Sequence, residues 1–228
     1  TVELEPLPGV YDVEHALDDD APRVHPDGNV IKTFAVEHGD LEAAREAAEV
    51  VIEETYRIGG QEHAYLEPQG CLAVPEPMGG LTVHASCQCP FYIRAAVSRM
   101  LELPVSSVRV QQAPTGGGFG GKEDYPNEPA TCAALLAQRT GRPVQLLLPR
   151  ELDMQASTKR HRMVVHHRLH ADAQGRVLGV DIDILVDAGA YAGLSTVVAE
   201  RGNTSAVGPY AVDAVRIDRM YAMGQVGH

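Results

Sequence analysis

From Pro114 to Asp124 the chain reads Pro-Thr-Gly-Gly-Gly-Phe-Gly-Gly-Lys-Glu-Asp, with glycine at five of the six positions from 116 to 121. The flanks decide what this run connects. Residues 105–112 read as a strand, and residues 127–139 form an apolar helical pattern through Ala133, Ala134, Leu135 and Leu136. The glycines therefore join a strand to a helix. They open backbone conformations closed to other residues and let main-chain N–H groups approach an anion or a planar cofactor. A flexible linker would mix in serine rather than embed one phenylalanine among glycines.

Two familiar phosphate patterns fit poorly. A Gly-x-Gly-x-x-Gly can be forced through Gly116, Gly118 and Gly121, but no acidic residue follows a second strand at the distance a dinucleotide site needs. The run from Gly116 to Lys122 also has the glycine and lysine of a phosphate loop. Glu123 then stands where Ser or Thr must hold magnesium.

The chain's 228 residues are 44% hydrophobic and 22% charged, which fits a globular protein and argues against disorder. With three Phe, eight Tyr and no Trp, the core must rest on Val, Leu, Ile and Ala. The formal net charge of -12 disfavours nucleic acid, whose phosphates need a basic face. The densest basic run, Lys159-Arg160-His161-Arg162, is short and lies beside apolar Met163-Val164-Val165. No stretch approaches the ~20 apolar residues of a membrane span. The first residues are not those of a signal peptide. Cys71, Cys87, Cys89 and Cys132 lack metal-site or Cys-x-x-Cys spacing and read as reduced thiols of a cytoplasmic protein. The chain opens on Val2 and Leu4 alternating with Glu3 and Glu5, and closes just after Met220-Tyr221-Ala222-Met223. Both read as strands, so the chain looks like a segment of something longer.

Residues 1–33 are rich in Pro, Asp and His and read as loop; Asp18-Asp19-Asp20 lacks the alternation and glycine of a calcium loop and reads as a solvated acidic turn. Asp40 caps a helix over 41–48. Strands follow at 50–57, 70–74 and 81–86, then a helix over 90–103 with Ile93, Ala96, Val97 and Met100 on one face. A short strand at 144–148, a helix over 151–157 and an antiparallel pair at 163–170 and 177–186, turning at Asp172-Ala173-Gln174-Gly175, complete the reading. The pattern is α+β, with mixed sheets, packed helices and no internal repeat.

Two further segments carry polar chemistry. In Gly59-Gly60-Gln61-Glu62-His63-Ala64-Tyr65-Leu66-Glu67, Gln61 after two glycines can present its amide to an oxygen ligand. His63 and Glu67 lack the third and fourth ligands of a metal site. In Ala199-Glu200-Arg201-Gly202-Asn203, Arg201 can fix a planar or anionic substrate; taken alone it is an ordinary surface arginine. His166 and His170 share a strand face from which His167 points away, so these histidines make no joint site.

In order along the chain, Gly-Gly-Gln-Glu-His-x-Tyr-Leu-Glu, Gly-Gly-Gly-Phe-Gly-Gly-Lys-Glu, Thr-Gly-Arg-Pro-Val from Thr140, and Glu200-Arg201 about sixty residues later resemble the molybdenum hydroxylase family of xanthine dehydrogenase and aldehyde oxidase. The glycine motif is highly specific to that family, the others moderately so. The resemblance implies the first part of the molybdopterin-binding domain over 34–228, incomplete at its C-terminus, with 1–33 as the end of a preceding small domain, which residues 1–20 resemble, and a linker. It implies that Gln61 contacts an oxo ligand of molybdenum, and that Gly117, Gly118, Phe119 and Gly120 form the loop against the cofactor. No residue here ligates the metal directly. Glu123 corresponds to the glutamate that hydrogen-bonds a purine, and Arg201 to the arginine that stabilises negative charge on it. A preplaced cation facing that charge would contribute several kcal/mol.

The implied partners are the remainder of the molybdenum subunit, iron–sulfur and flavin (FAD) domains or subunits, and a small heterocyclic substrate, with neither nucleic acid nor membrane. The family's second cofactor loop and its C-terminal general-base glutamate are absent from this sequence. The expectation is thus one part of a hydroxylase, inactive alone, that inserts water-derived oxygen at a C–H bond of a purine-like ring. The alternatives are a non-catalytic assembly or cofactor-handling module and a nucleotide-binding domain.

Overall fold

The computed structural model describes residues 3–223, with side chains through Ile217. It divides into two compact units, Gln61–Arg160 and the pair of segments Thr1–Gly60 with His161–His228.

The unit Gln61–Arg160 holds the glycine run. Its sheet has strands β3 (Gly70–Pro75), β4 (Leu81–Ala85), β5 (Val108–Gln112) and β6 (Val144–Leu147) in the order β5-β4-β3-β6. β4 and β5 are parallel, joined through helix α2 (Pro90–Met100). β3 is antiparallel to both its neighbours. Pro90 starts α2, where its missing N–H costs nothing. The helix ends at Met100 rather than at 103, because Glu102 turns into the left-handed region at φ 53 just ahead of Pro104. The expected strand 105–112 opens as a 3₁₀ turn, Val105–Ser107, before β5.

Helix α3 (Asn127–Thr140) packs Ala130, Ala133, Ala134 and Ala137 onto Ala73, Val83 and Ala85 of the sheet and Ile93 and Val97 of α2. The alanine stripe lets the helix lie close. Gly141, at φ 65, stops it, its N–H donating to the Ala137 carbonyl at 2.9 Å. A short helix, α4 (Arg150–Ala156), follows β6.

The other unit is a five-stranded sheet of β1 (Val30–His38), β2 (Val50–Ile58), β7 (Met163–Ala171), β8 (Val177–Asp187) and β9 (Ala214–Met223), in the order β1-β9-β8-β7-β2. All its pairs are antiparallel except β8 with β9. Asp40 caps helix α1 (Leu41–Ala47) by accepting from the Ala43 N–H at 3.0 Å. The turn between β7 and β8 is built as its sequence demands. Asp172 Oδ1 accepts from the N–H groups of Gln174 and Arg176, each at 2.9 Å, and Gly175 takes φ 81.

Three expectations change here. The loop assigned to 1–33 gives way to β1 from Val30, and Ser195–Ser205 forms a helix, α5, that the sequence reading lacked. Of the strand expected at Val2–Glu5, Val2 lies outside the described residues and Glu3 to Glu5 take no regular structure. Among the described residues no helix is long and apolar enough to cross a membrane.

Candidate functional site

The glycine loop leaves β5 and returns at α3, both anchored in the core of the same unit. Its N–H groups fall into two sets. Gly116 donates to Glu67 Oε2 at 2.7 Å, Gly121 to the Gly118 carbonyl at 2.8 Å, and Gly120 and Lys122 to Gln88 Oε1 at 3.0 and 3.2 Å. The three consecutive N–H groups of Gly117, Gly118 and Phe119 have no partner among the described residues. Gly117 and Gly120 each stand at φ 95 and Phe119 at φ 54. Phe119 therefore adopts a backbone rare for a residue with a side chain, and the residue is 76% exposed.

Beneath the loop lies a polar network that sequence reasoning missed. Lys122 is fully buried, and its ammonium donates to Ser86 Oγ at 2.8 Å and Glu67 Oε2 at 3.1 Å, 4.7 Å from the centre of the Tyr65 ring. Ser86 also donates to Glu67 Oε2, at 2.6 Å. Burial alone would raise the Glu67 carboxyl, but hydrogen bonds from Ser86, Gly116 and Lys122 together hold it below the ordinary carboxylate range.

Tyr65, also buried, donates to Asp153 Oδ1 at 2.7 Å. Burial and that bond push its phenol up to about 12. Gln69 Nε2 donates to Tyr65 Oη at 2.9 Å and to the Gly121 carbonyl at 2.8 Å, tying the loop's end to the same network. The one sequence hint to the network is that Lys122 follows the glycines directly and Glu67 ends the Gln61 segment.

Gln61, the glycine loop and Glu123 belong to this one unit. Gln61 exchanges two main-chain hydrogen bonds with Arg160, at 3.3 and 2.9 Å. Its side chain is exposed, and Oε1 has no partner among the described residues. Two residues on, His63 lies against the loop: a Cβ on Gly121 would sit 2.8 Å from His63 Nδ1, a buried atom with no hydrogen-bond partner among the described residues. Glu123 is half-buried and makes no hydrogen bond or ion pair among the described residues. Burial first, and then the charges of Glu123 and Asp124, push the nearby Cys89 thiol up.

Arg201 belongs to the other unit, exposed on α5, with no side-chain partner among the described residues. The sequence reading placed it on no element, and the helix now supplies one.

The remaining candidates behave as ordinary surface and core. Cys71 and Cys87 are buried thiols pushed up to about 11 by burial, and none of the four cysteines is in a disulfide. His166 bonds Thr55 Oγ1 at 2.9 Å while His170 is buried. Among the described residues only His15, Asp18 and Asp20 stand close enough together to ligate a metal, and all three are exposed.

A family model described as "Molybdopterin cofactor-binding domain" matches residues 24–223. The chain is 39% identical, over 97% of its length, to the nicotinate dehydrogenase large molybdopterin subunit of Eubacterium barkeri, of which it covers 52%. It is 36% identical, over 95% of its length, to a probable xanthine dehydrogenase subunit from Bacillus subtilis, of which it covers 29%. Among solved structures, the aldehyde oxidoreductase of Desulfovibrio gigas superposes with a TM-score of 0.88 at 25% identity, over 98% of this chain and 25% of that one. The chain thus spans about half or less of each relative's length.

Proposed function

The chain belongs to the molybdopterin cofactor-binding domain family, and on that premise we propose that it forms part of a molybdopterin-dependent hydroxylase acting on a purine-like N-heterocycle. One observation carries the reading: three backbone donors in a glycine loop without partners among the described residues, followed within the same loop by a half-buried carboxylate, Glu123, likewise without one. These residues fit the cofactor. A pterin with a phosphate-bearing side chain offers acceptors to the N–H groups of Gly117, Gly118 and Phe119, and successive N–H groups of this kind form an anion-binding concavity. The free Gln61 amide oxygen and the exposed Phe119 ring add a polar and an apolar contact.

When bound, the molybdenum cofactor supplies the two-electron oxidation by which a ring C–H and water become C–OH, two protons and two electrons. The chain's own residues bind and orient. Glu123 accepts a hydrogen bond from a ring N–H. Arg201 offsets negative charge on the ring and donates in a planar fork suited to a heterocycle's acceptor edge. Gly117, Gly118, Phe119 and Gly120 would hold the cofactor, and Gln61 would offer it an amide. Iron–sulfur and flavin partners would accept the two electrons, and the remainder of the molybdenum subunit would complete the site. In this reading a cytoplasmic enzyme is formed, and the first residues close a preceding domain; the small cluster of Val10, Val13, Ala16 and Val24, separate from the sheet cores, supports a division before β1.

The test is substrate screening of the complete enzyme, with its metal and pterin measured. Glu123→Ala and Arg201→Met should each lower kcat/KM for a purine by about a hundredfold. Unchanged purine turnover removes the roles given to both residues. Faster turnover of nicotinate than of any purine would move the substrate from fused rings to single ones. A complex containing no molybdenum would favour a non-catalytic module.

A further inference from the structure

We propose that Gln88 is the positioning residue of the glycine loop: its side-chain oxygen gathers the loop's far half and so leaves the N–H groups of Gly117, Gly118 and Phe119 free to meet an anionic group of the cofactor. The inference rests on the cofactor reading above and names a residue that acts through the loop.

Gln88 lies between β4 and the start of α2 and contacts the loop at both main chain and side chain. Its N–H donates to the Lys122 carbonyl at 2.6 Å, and its Oε1 accepts from Gly120 and Lys122 at 3.0 and 3.2 Å. The loop is wrapped tightly on this side chain. A Cβ on Gly118 would collide with Gln88 Oε1 and come within 2.8 Å of Cδ and 3.0 Å of Cγ.

The two bonds close the segment in which Phe119 holds its left-handed backbone and Gly121 turns back onto the Gly118 carbonyl. Gln88 and Glu67 take the N–H groups of Gly116, Gly120 and Lys122, and the three between Gly116 and Gly120 that neither takes are consecutive. A loop without that acceptor has no fixed reason to keep Phe119 at positive φ. Its free donors would then no longer be held in one arrangement. Preorganised donors bind better because the ordering has already been done.

The test uses the complete enzyme with its partner subunits, as wild type, Gln88→Met and Gln88→Glu. Three readouts are taken: pterin and molybdenum per protomer, hydrogen exchange of the loop amides, and the line shape of the metal's electron paramagnetic resonance. Gln88→Met keeps the volume and removes the acceptor. It should speed exchange at Gly120 and Lys122, lower pterin occupancy roughly tenfold, and broaden the resonance of protomers that still hold the metal. Gln88→Glu retains an acceptor oxygen and should restore both amide protection and the wild-type line shape in loaded protomers, an outcome that a merely space-filling role does not predict.

A Gln88→Met enzyme with wild-type occupancy and line shape overturns the inference. So does a Gln88→Glu enzyme that fails to restore them, which decides the matter if Gln88→Met does not assemble. A wild-type enzyme without pterin overturns the cofactor reading itself and this inference with it. A loaded wild type with an indifferent Gln88→Met overturns this inference alone.

Discussion

In the four-stranded sheet, Ala73, Val83 and Ala85 are sealed beneath Ile93 and Val97 of α2 and the alanines of α3. In the five-stranded sheet, β2 is exposed along all nine of its residues, among them Val50, Val51, Ile52 and Tyr56. The first sheet is finished by its own helices, and the second is not finished along that edge. The glycine loop stands on the finished one. A loop whose geometry depends on two side-chain oxygens is held more accurately by a close-packed platform than by an exposed edge strand.

The comparison can be broken first at the network beneath the loop. Glu67→Ala removes the carboxylate partner of a fully buried ammonium, and should destabilise the unit Gln61–Arg160 by about 3–5 kcal/mol. Denaturant unfolding with hydrogen exchange read unit by unit checks it, and a loss no larger than at a surface site would mean that Ser86 alone satisfies Lys122. The next effect is packing. Ile93→Ala should cost about 2–5 kcal/mol, whereas Ile52→Ala on β2 should change stability by no more than about 0.5 kcal/mol. Equal costs would show that β2 is covered in solution.

The smallest effect is in acid. His170, on β7, is buried, and among the described residues neither ring nitrogen has a hydrogen-bond partner. Burial, and then the Arg45 charge, lower its pKa from 6.5, with Arg168 acting in the same sense and Asp181 and Glu42 opposing. Its contribution is complete above 6.5 and is lost as pH falls through the lowered folded value. Glu67, lowered from 4.5, behaves alike in a more acid window. Acid titration followed by hydrogen exchange should therefore loosen the five-stranded unit at a higher pH than the other, and a reversed order would count against the buried neutral His170.

Much of the fold was legible because its elements obey simple periods. The elements from α1 to β8 lie close to where patterning puts them, and their turn and cap chemistry agrees. The failures have local causes. β1 carries two register shifts, between Val30 and Lys32 and between Phe34 and Val36, which break the alternation a strand is recognised by. Helix α5 buries Ser195, Ala199 and Asn203, one per turn on one face. Such a stripe has the helical period without hydrophobicity, and Gly202 and the β-branched Thr196, Val197 and Val198 lower the propensity further.

At the candidate site the glycine run and Gln61 announce themselves in sequence because their chemistry is local. Gln88 does not. It sits between two cysteines with no pattern of its own, and its partners lie more than thirty positions away, at 120 and 122. Only the parallel crossover from β4 through α2 to β5 brings them together.

The junction between the units has a consequence for how such a chain can be assembled. Gln61 and Arg160, the two ends of the glycine-loop unit, are hydrogen-bonded to each other. In the host sheet, Ile58 and Met163 are likewise paired across β2 and β7. Each body therefore presents its cut ends side by side, the geometry in which one domain can be inserted into another without stretching either. The chain therefore enters and leaves the loop-bearing unit at one place, so that the unit is a single uninterrupted length of sequence.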